Sequence, residues 1–263
     1  MRRFARVMSA IVVLCSELGN SGSGFAQDQS LSADQRKQLA SQAVTLSRRF
    51  REAYKKGDYR NGLIVEKEVL EISRKSFGEE NELTAFYYYD VGTVSAQLKD
   101  YAAARKYHER ALAIRRRVLG EEHVDTATSF NALGIVCDEL GDFSAGRMNF
   151  EHALKIKQKR AGEDDSDTAR TYNNLGLACN ELGDYAMARR HHQQALTILR
   201  KVLGDEHPDT ATAWNSLGMV SDSLGDYSAA RMYYERALTI RRKVLGEENF
   251  QTAESYNNLG ILA

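Results

Sequence analysis

The sequence predicts an all-α solenoid, a stack of antiparallel helix pairs, from three observations. A Gly-Asp-aromatic tripeptide recurs every 42 residues, at Gly141, Gly183 and Gly225, and already stands at Gly57. One Pro in 263 residues, with abundant Ala, Leu, Arg and Glu, favours helices. A second marker keeps the same 42-residue step, a Gly with a Thr six residues later, at Gly78, Gly120, Gly162, Gly204 and Gly246 with Thr84, Thr126, Thr168, Thr210 and Thr252. A fixed period of this length is typical of stacked supersecondary units, so one globular core is not expected.

The amino terminus differs in kind from the repeats. Three arginines precede the apolar run 7–15, residues 19–24 are small and polar, and Gly24-Phe25-Ala26 fits a small-x-small cleavage site. This order indicates a secretory signal peptide at 1–26 and a linker at 27–34, because the apolar run is much shorter than the roughly 20 residues that span a bilayer. We therefore expect export, to a bacterial periplasm or the cell exterior, with no membrane contact after cleavage. A retained or lipidated anchor at Cys15, or an extension without function, are the alternatives.

Helical periodicity assigns one helix pair to each repeat. Apolar residues three or four apart run up to Lys56, Gly57 breaks the pattern, and a second helix reaches Gly78. This first repeat is atypical, as expected at the end of an array. The predicted repeats are 35–78, 79–120, 121–162, 163–204 and 205–246, followed by 247–263 with a first helix only.

The repeat at 163–204 shows how the two helices fit together. Its first helix is predicted from Thr168 to Leu182 and its second from Tyr185 to Leu203. Gly176 has no side chain, so the second helix is expected to approach closely there, with Ala188 as a matching flat spot.

The sequence carries no pattern typical of catalysis, and no cofactor or metal is expected. Adjacent His191 and His192 point about 100° apart on a helix, which makes a poor chelate. Cys137 and Cys179 hold equivalent places in successive repeats, where free buried thiols are expected rather than a disulfide. Thirty-six basic residues balance thirty-six acidic ones. Basic runs such as 115–117 end helices and precede acidic pairs, so nucleic-acid binding is not expected.

These markers resemble the tetratricopeptide repeat family, in its 42-residue variety found in kinesin light chains and many bacterial proteins. The resemblance covers about Gln35 to Ala263. The matching positions are Trp214, Leu217, Gly218, Gly225, Asp226, Tyr227, Ala230, Tyr234, Ala237 and Leu238, with Leu203, Gly204, His207, Pro208, Asp209 and Thr210. His108 and His192 depart from the family pattern by replacing the aromatic residue of the second helix. The resemblance implies a right-handed superhelix whose first helices line a concave groove, and a non-enzymatic scaffold that binds a peptide or protein there.

The candidate groove residues lie on first helices, opposite the face that packs on the second helix. An Asn amide can donate to and accept from one peptide unit at once, so a ladder of Asn suits an extended main chain of any sequence. Purely structural hydrogen bonding within the stack is the alternative. The predicted groove residues are Asn131, Ile135, Asp138, Arg170, Asn173, Asn174, Leu177, Asn180, Asn215, Met219, Asp222 and Asn257.

The charges of this surface predict the class of partner. Arg170 is the only groove cation, against several acids, so a neutral or basic peptide is expected and a clamp for a terminal carboxylate is not. The last helix leaves apolar residues such as Tyr256 and Leu259 without cover, which allows self-association. Because repeat arrays need a polar cap, the alternative function is the recognition half of a longer protein, with an effector such as a CHAT-type protease beyond residue 263.

Overall fold

The structure is a computed structural model that describes residues 32–161 and 165–262. Within these ranges the chain forms eleven α-helices and no strand. The helices are α1 (Ala33–Lys55), α2 (Tyr59–Phe77), α3 (Glu82–Gln97), α4 (Tyr101–Val118), α5 (Val124–Glu139), α6 (Phe143–Ala161), α7 (Ser166–Glu181), α8 (Tyr185–Leu203), α9 (Pro208–Ser223), α10 (Tyr227–Leu245) and α11 (Phe250–Ile261). The predicted signal peptide, most of the linker and Gly162 lie outside the described residues.

The helices pack in the order in which they follow one another. The chain divides into an N-terminal unit that ends at Val136 and a C-terminal unit that begins at Cys137. In the N-terminal unit, α1 to α4 pack each on the next, and in the C-terminal unit α6 to α11 do the same. The predicted all-α fold of consecutive helix pairs is confirmed.

The Gly-Asp marker is explained by the turn within each pair. Gly183 takes a positive φ of 78°, a backbone conformation that costs Gly little, and so ends the first helix. Asp184 then caps the second helix, because its carboxylate accepts from the backbone N–H of Met187. In the second repeat Lys99 holds the glycine position at a φ of 62°.

The Thr marker ties one repeat to the next. The hydroxyl of Thr210 is buried and donates to the carbonyl oxygen of Gly204 at 2.8 Å. Thr84, Thr126 and Thr252 make the same bond to Gly78, Gly120 and Gly246. Each bond joins the end of a second helix to the start of the following first helix, and this explains the constant six-residue spacing.

A ring packs closely against a glycine in the pairs α3–α4, α7–α8 and α9–α10. A methyl group added at Gly176 would lie 2.6 Å from Cε1 of His192, and one at Gly218 would lie 2.5 Å from the ring of Tyr234. The close approach predicted at Gly176 is therefore present, although an aromatic ring fills it rather than Ala188. His192 thus fills the same place in its repeat as Tyr234 does in the next one.

Buried cations form a second link between repeats that the sequence interpretation missed. Lys157 is 8% exposed, and its ammonium donates to the carbonyl of Asp167 at 3.1 Å and to the hydroxyl of Thr171 at 2.9 Å. Arg115 makes the equivalent bonds to the carbonyl of Asp125 and the hydroxyl of Ser129. Arg241 makes them to the carbonyl of Gln251 and the hydroxyl of Ser255. Arg115 lies in the last turn of its helix, as the sequence predicts, but both Arg115 and Arg241 are buried.

We predict that Gly176→Ala destabilises the fold by about 1–3 kcal/mol, because the buried ring of His192 has to move. Gly260→Ala is the matched control, since a methyl group there meets nothing within 4 Å. The control should leave stability unchanged or raise it by about 0.5–1 kcal/mol. Urea unfolding followed by circular dichroism measures both, and equal effects at the two glycines would contradict the ring-and-glycine interpretation.

We predict that Lys157→Leu combined with Thr171→Ala is tolerated, because the next repeat already holds Leu199 and Ala213, both buried, at these two places. Replacing a buried charge together with its partner is often neutral or stabilising by about 1–4 kcal/mol. Thr171→Ala alone should instead cost about 1–3 kcal/mol, because the ammonium loses an acceptor. A double-mutant cycle in urea measures the coupling, and purely additive losses would count against the pairing.

Candidate functional site

All twelve predicted groove residues lie on first helices, as expected. Asn131 and Ile135 belong to the N-terminal unit. The other ten belong to the C-terminal unit, where α7 and α9 lie side by side. The guanidinium of Arg170 joins these two helices, because it donates to Asp209 at 2.7 Å and to Asp167 at 2.5 Å. Arg170 is thus engaged by two carboxylates of its own chain.

Two amides of the predicted ladder are turned into the packing. Asn173 is 8% exposed and Asn215 is 4% exposed. Nδ1 of His192 donates to Oδ1 of Asn173 at 2.9 Å, and Oδ1 of Asn215 accepts from Nδ2 of Asn258 at 3.0 Å. The expectation that these two side chains are open to a ligand is therefore corrected. Substituting them would disturb packing, so they are poor probes of ligand binding.

The burial of Asn173 depends on the histidine that replaces the aromatic residue of this repeat. Burial, and to a smaller extent His191, lowers the pKa of His192 to about 4. The ring is then neutral at pH 7, so one ring nitrogen carries a hydrogen and can donate to the amide oxygen. A phenyl ring could not make this bond, and the orientation of Asn173 is thus set by a side chain on another helix.

The accessible part of the site is a row of apolar and polar side chains on α7 and α9. Leu177 and Met219 are half-buried and hold equivalent places one repeat apart. Asn174, Asn180 and Asp222 are half-buried in the same stretches, and Asn257 on α11 is exposed. In the N-terminal unit, Asn131 is half-buried and Ile135 is 43% exposed. These side chains can offer apolar contact together with hydrogen-bond donors and acceptors.

The electrostatic centre of the site is Asp138. Burial first, and then the like charges of Glu181 and Glu139, raise the pKa of this carboxyl group to about 7. Oδ1 of Asp138 and Oδ1 of Asn180 are both buried and have no hydrogen-bond partner among the described residues. Unsatisfied buried acceptors of this kind typically cost about 1–3 kcal/mol each. The site therefore offers hydrogen-bond acceptors and negative charge, and a ligand that brings hydrogen-bond donors would satisfy the two acceptor atoms.

Phe86 and Tyr89 hold groove positions in the N-terminal unit but pack inward. The Tyr89 ring lies 5.1 Å from that of His108, and the guanidinium of Arg115 lies 4.8 Å from its centre. Both aromatics pack against the buried core of this unit. These two rings therefore belong to the packing of the N-terminal unit.

The cysteines complete the candidate chemistry of the described residues. Cys137 and Cys179 are buried and form no disulfide, as expected, and burial raises the pKa of the Cys179 thiol. Within 32–161 and 165–262, no three His, Cys, Asp or Glu side chains are grouped so that they could hold a metal ion. In the same ranges, every helix is too short or too polar to cross a bilayer.

Aromatic ring pairs that join a first helix to its second helix were missed by the sequence interpretation. The rings of Trp214 and Tyr233 lie 5.5 Å apart, and those of Tyr172 and His191 lie 5.9 Å apart. A cavity of about 340 Å³ adjoins the first pair, beside the exposed Met232. The 42-residue spacing of these rings could have revealed the surface, which is separate from the predicted groove.

The comparisons with known proteins agree with this architecture. The sequence profile described as Tetratricopeptide repeat matches residues 90–159, 167–243 and 223–263. None of the curated proteins matches the chain.

Several solved structures share the fold. BtubC (BKLC) from P. vanneervenii is 22% identical with a TM-score of 0.69, and the match covers 94% of each chain. The nearly identical TPR-like repeats of a kinesin light chain candidate from Podosopora anserina are 18% identical with a TM-score of 0.65, over 77% of this chain and 96% of that one. The apo form of RapI is 18% identical with a TM-score of 0.69, over 85% of this chain and 59% of that one.

The family profile covers more than half of the chain, and the packed helix pairs repeat with its 42-residue markers. The chain therefore belongs to the tetratricopeptide repeat family, with helix pairs that fold like those of kinesin light chains.

Proposed function

We propose that this chain is a non-enzymatic scaffold that binds an extended, neutral or basic peptide segment of a partner protein on the accessible face of α7 and α9. Tetratricopeptide repeats generally act as protein-interaction scaffolds, which supports the general class. The observation that carries the proposal is the half-buried row of Leu177, Asn180, Met219 and Asp222, with equivalent residues one repeat apart. A surface that repeats along the chain suits an extended ligand, which repeats in the same way.

The charge preference follows from the ion pairs of the same face. Arg170 is already bound to Asp167 and Asp209, which supports the expectation that it does not clamp a terminal carboxylate. Asp138 and Glu181 act on each other as like charges, and the charges that act on Asp138 are both carboxylates. A basic segment relieves the repulsion between these carboxylates, and a neutral segment leaves it unchanged. An acidic segment adds to it.

The exposed end of the C-terminal unit supports a second interaction. Phe250 is 82% exposed and Ile261 is 71% exposed, both on α11. Large exposed apolar side chains along one helix are a feature of interaction surfaces. We propose that a second copy of the chain binds there, and light scattering at several protein concentrations measures the mass. The alternative of an effector domain after residue 263 is tested by sequencing the gene beyond that codon, and export is tested by fractionating the source cells.

We predict that Leu177→Ser combined with Met219→Ser weakens binding of peptides selected on the full chain from a random library by about tenfold or more. The two substitutions remove apolar contact area from the proposed face. Fluorescence anisotropy with labelled peptides measures the affinity.

The matched control is Met148→Ser combined with Met232→Ser. These side chains are 60% and 55% exposed on the second helices α6 and α10. The control should bind as the unchanged protein does. Equal losses in both variants, or a loss in the control alone, would contradict the assignment of the ligand to α7 and α9.

A further inference from the structure

Two acceptor atoms of the C-terminal unit stand without a donor. Oδ1 of Asp138 and Oδ1 of Asn180 are buried and accept no hydrogen bond from the described residues. The two residues hold equivalent places in successive repeats, 42 positions apart. Since buried polar atoms are mostly paired in folded proteins, these two acceptors at equivalent places can take hydrogen bonds from a donor outside the described residues.

Negative charge surrounds the same place. The described charges that act on Asp138 are Glu139 on its own helix and Glu181 on α7. Two cations of the same unit are engaged elsewhere, because Arg147 binds Glu151 at 2.9 Å and Arg170 binds Asp167 and Asp209. No cation of the described residues acts on Asp138, and Oδ1 of Asn180 has no donor among them.

The chemistry of these three side chains selects among possible ligands. A backbone N–H group would satisfy one acceptor but would leave the repulsion between the carboxylates. A guanidinium brings both a positive charge and a planar set of donors that can reach several acceptors at once. An ammonium brings the charge with a less directed set of donors.

We propose that Asp138, Asn180 and Glu181 form a subsite for one basic side chain of the bound segment, with arginine as the best fit. This inference rests on the proposed function, because the arginine belongs to a peptide held on α7 and α9. A proton competes with the arginine for Asp138, whose pKa is raised to about 7, by burial above all. Binding therefore weakens as the pH falls below 7, with Glu139 and Glu181 as the other charges that act on this carboxyl group.

The test compares arginine with citrulline, which has nearly the same shape and no charge. The probes are fluorescein-labelled 12-residue peptides of Ser, Asn and Leu with a blocked carboxyl terminus, each with one arginine at a different position, and their citrulline twins. Anisotropy titrations use the full chain at pH 8 and pH 6. The best arginine peptide should bind about tenfold more tightly than its twin at pH 8. Most of this advantage should vanish at pH 6, where about a tenth of the Asp138 carboxyl groups are ionised.

Asp138→Asn identifies the residue responsible. This variant should lose the preference for arginine at pH 8 and the dependence on pH. Its Tm at pH 8 should rise, because the substitution removes a buried like charge, and a raised Tm shows that lost binding is not lost folding. Glu235→Gln on the exposed surface of α10 changes the net charge equally and should keep the preference for arginine.

The outcomes separate the two proposals. Arginine and citrulline peptides that bind equally well would overturn the subsite and leave the scaffold function in place. A preference for arginine that survives in Asp138→Asn would also overturn the subsite. Peptides that fail to bind in any form would count against the proposed function itself, and the subsite would fall with it.

Discussion

The close contact between a glycine of a first helix and a ring of the following second helix, present in three of the described helix pairs, is the constraint on which the fold depends. His192 against Gly176 and Tyr234 against Gly218 bring the two helices of a pair so near that a methyl group would not fit. The first pair reverses the arrangement, since Phe50 on its first helix lies over Gly62 on its second. Because one pair cannot bury its outer faces alone, the Thr bonds and buried cations that join successive pairs complete the core.

The sequence predicts this framework well because its markers are local. Gly183 and Asp184 specify a turn and a cap through their own backbone and side chain, and Thr210 reaches a carbonyl six residues away. The orientation and burial of a side chain whose partner is distant in sequence could not be predicted from local markers. The amide of Asn173 turns inward because His192, nineteen residues later, supplies a donor, and Arg115 is buried because Ser129 and the carbonyl of Asp125 receive it. A helical wheel predicts the direction of a side chain but does not predict which residue of a neighbouring helix it contacts.

The candidate site combines unpaired acceptors with negative charge. Several buried polar groups of the C-terminal unit meet a partner, as Lys157 meets Thr171 and Asn215 meets Asn258. At Asp138 and Asn180 the buried acceptors lack donors, and burial, followed by the like charges of Glu181 and Glu139, raises the pKa of the Asp138 carboxyl group. Ligand-binding sites commonly hold such unpaired groups, which lower the stability of the free protein. A ligand that pairs with them stabilises the folded chain.

The central claim is that a peptide binds the face formed by α7 and α9. Changes in the amide chemical shifts of a 15N-labelled chain, on saturation with a bound peptide, test it directly. The account predicts shifts centred on Leu177, Asn180 and Met219, with little change on α8 and α10 near Met232 and Tyr233. Shifts centred instead on Met232 and Tyr233 of α10 would contradict it and assign the ligand to the second helices.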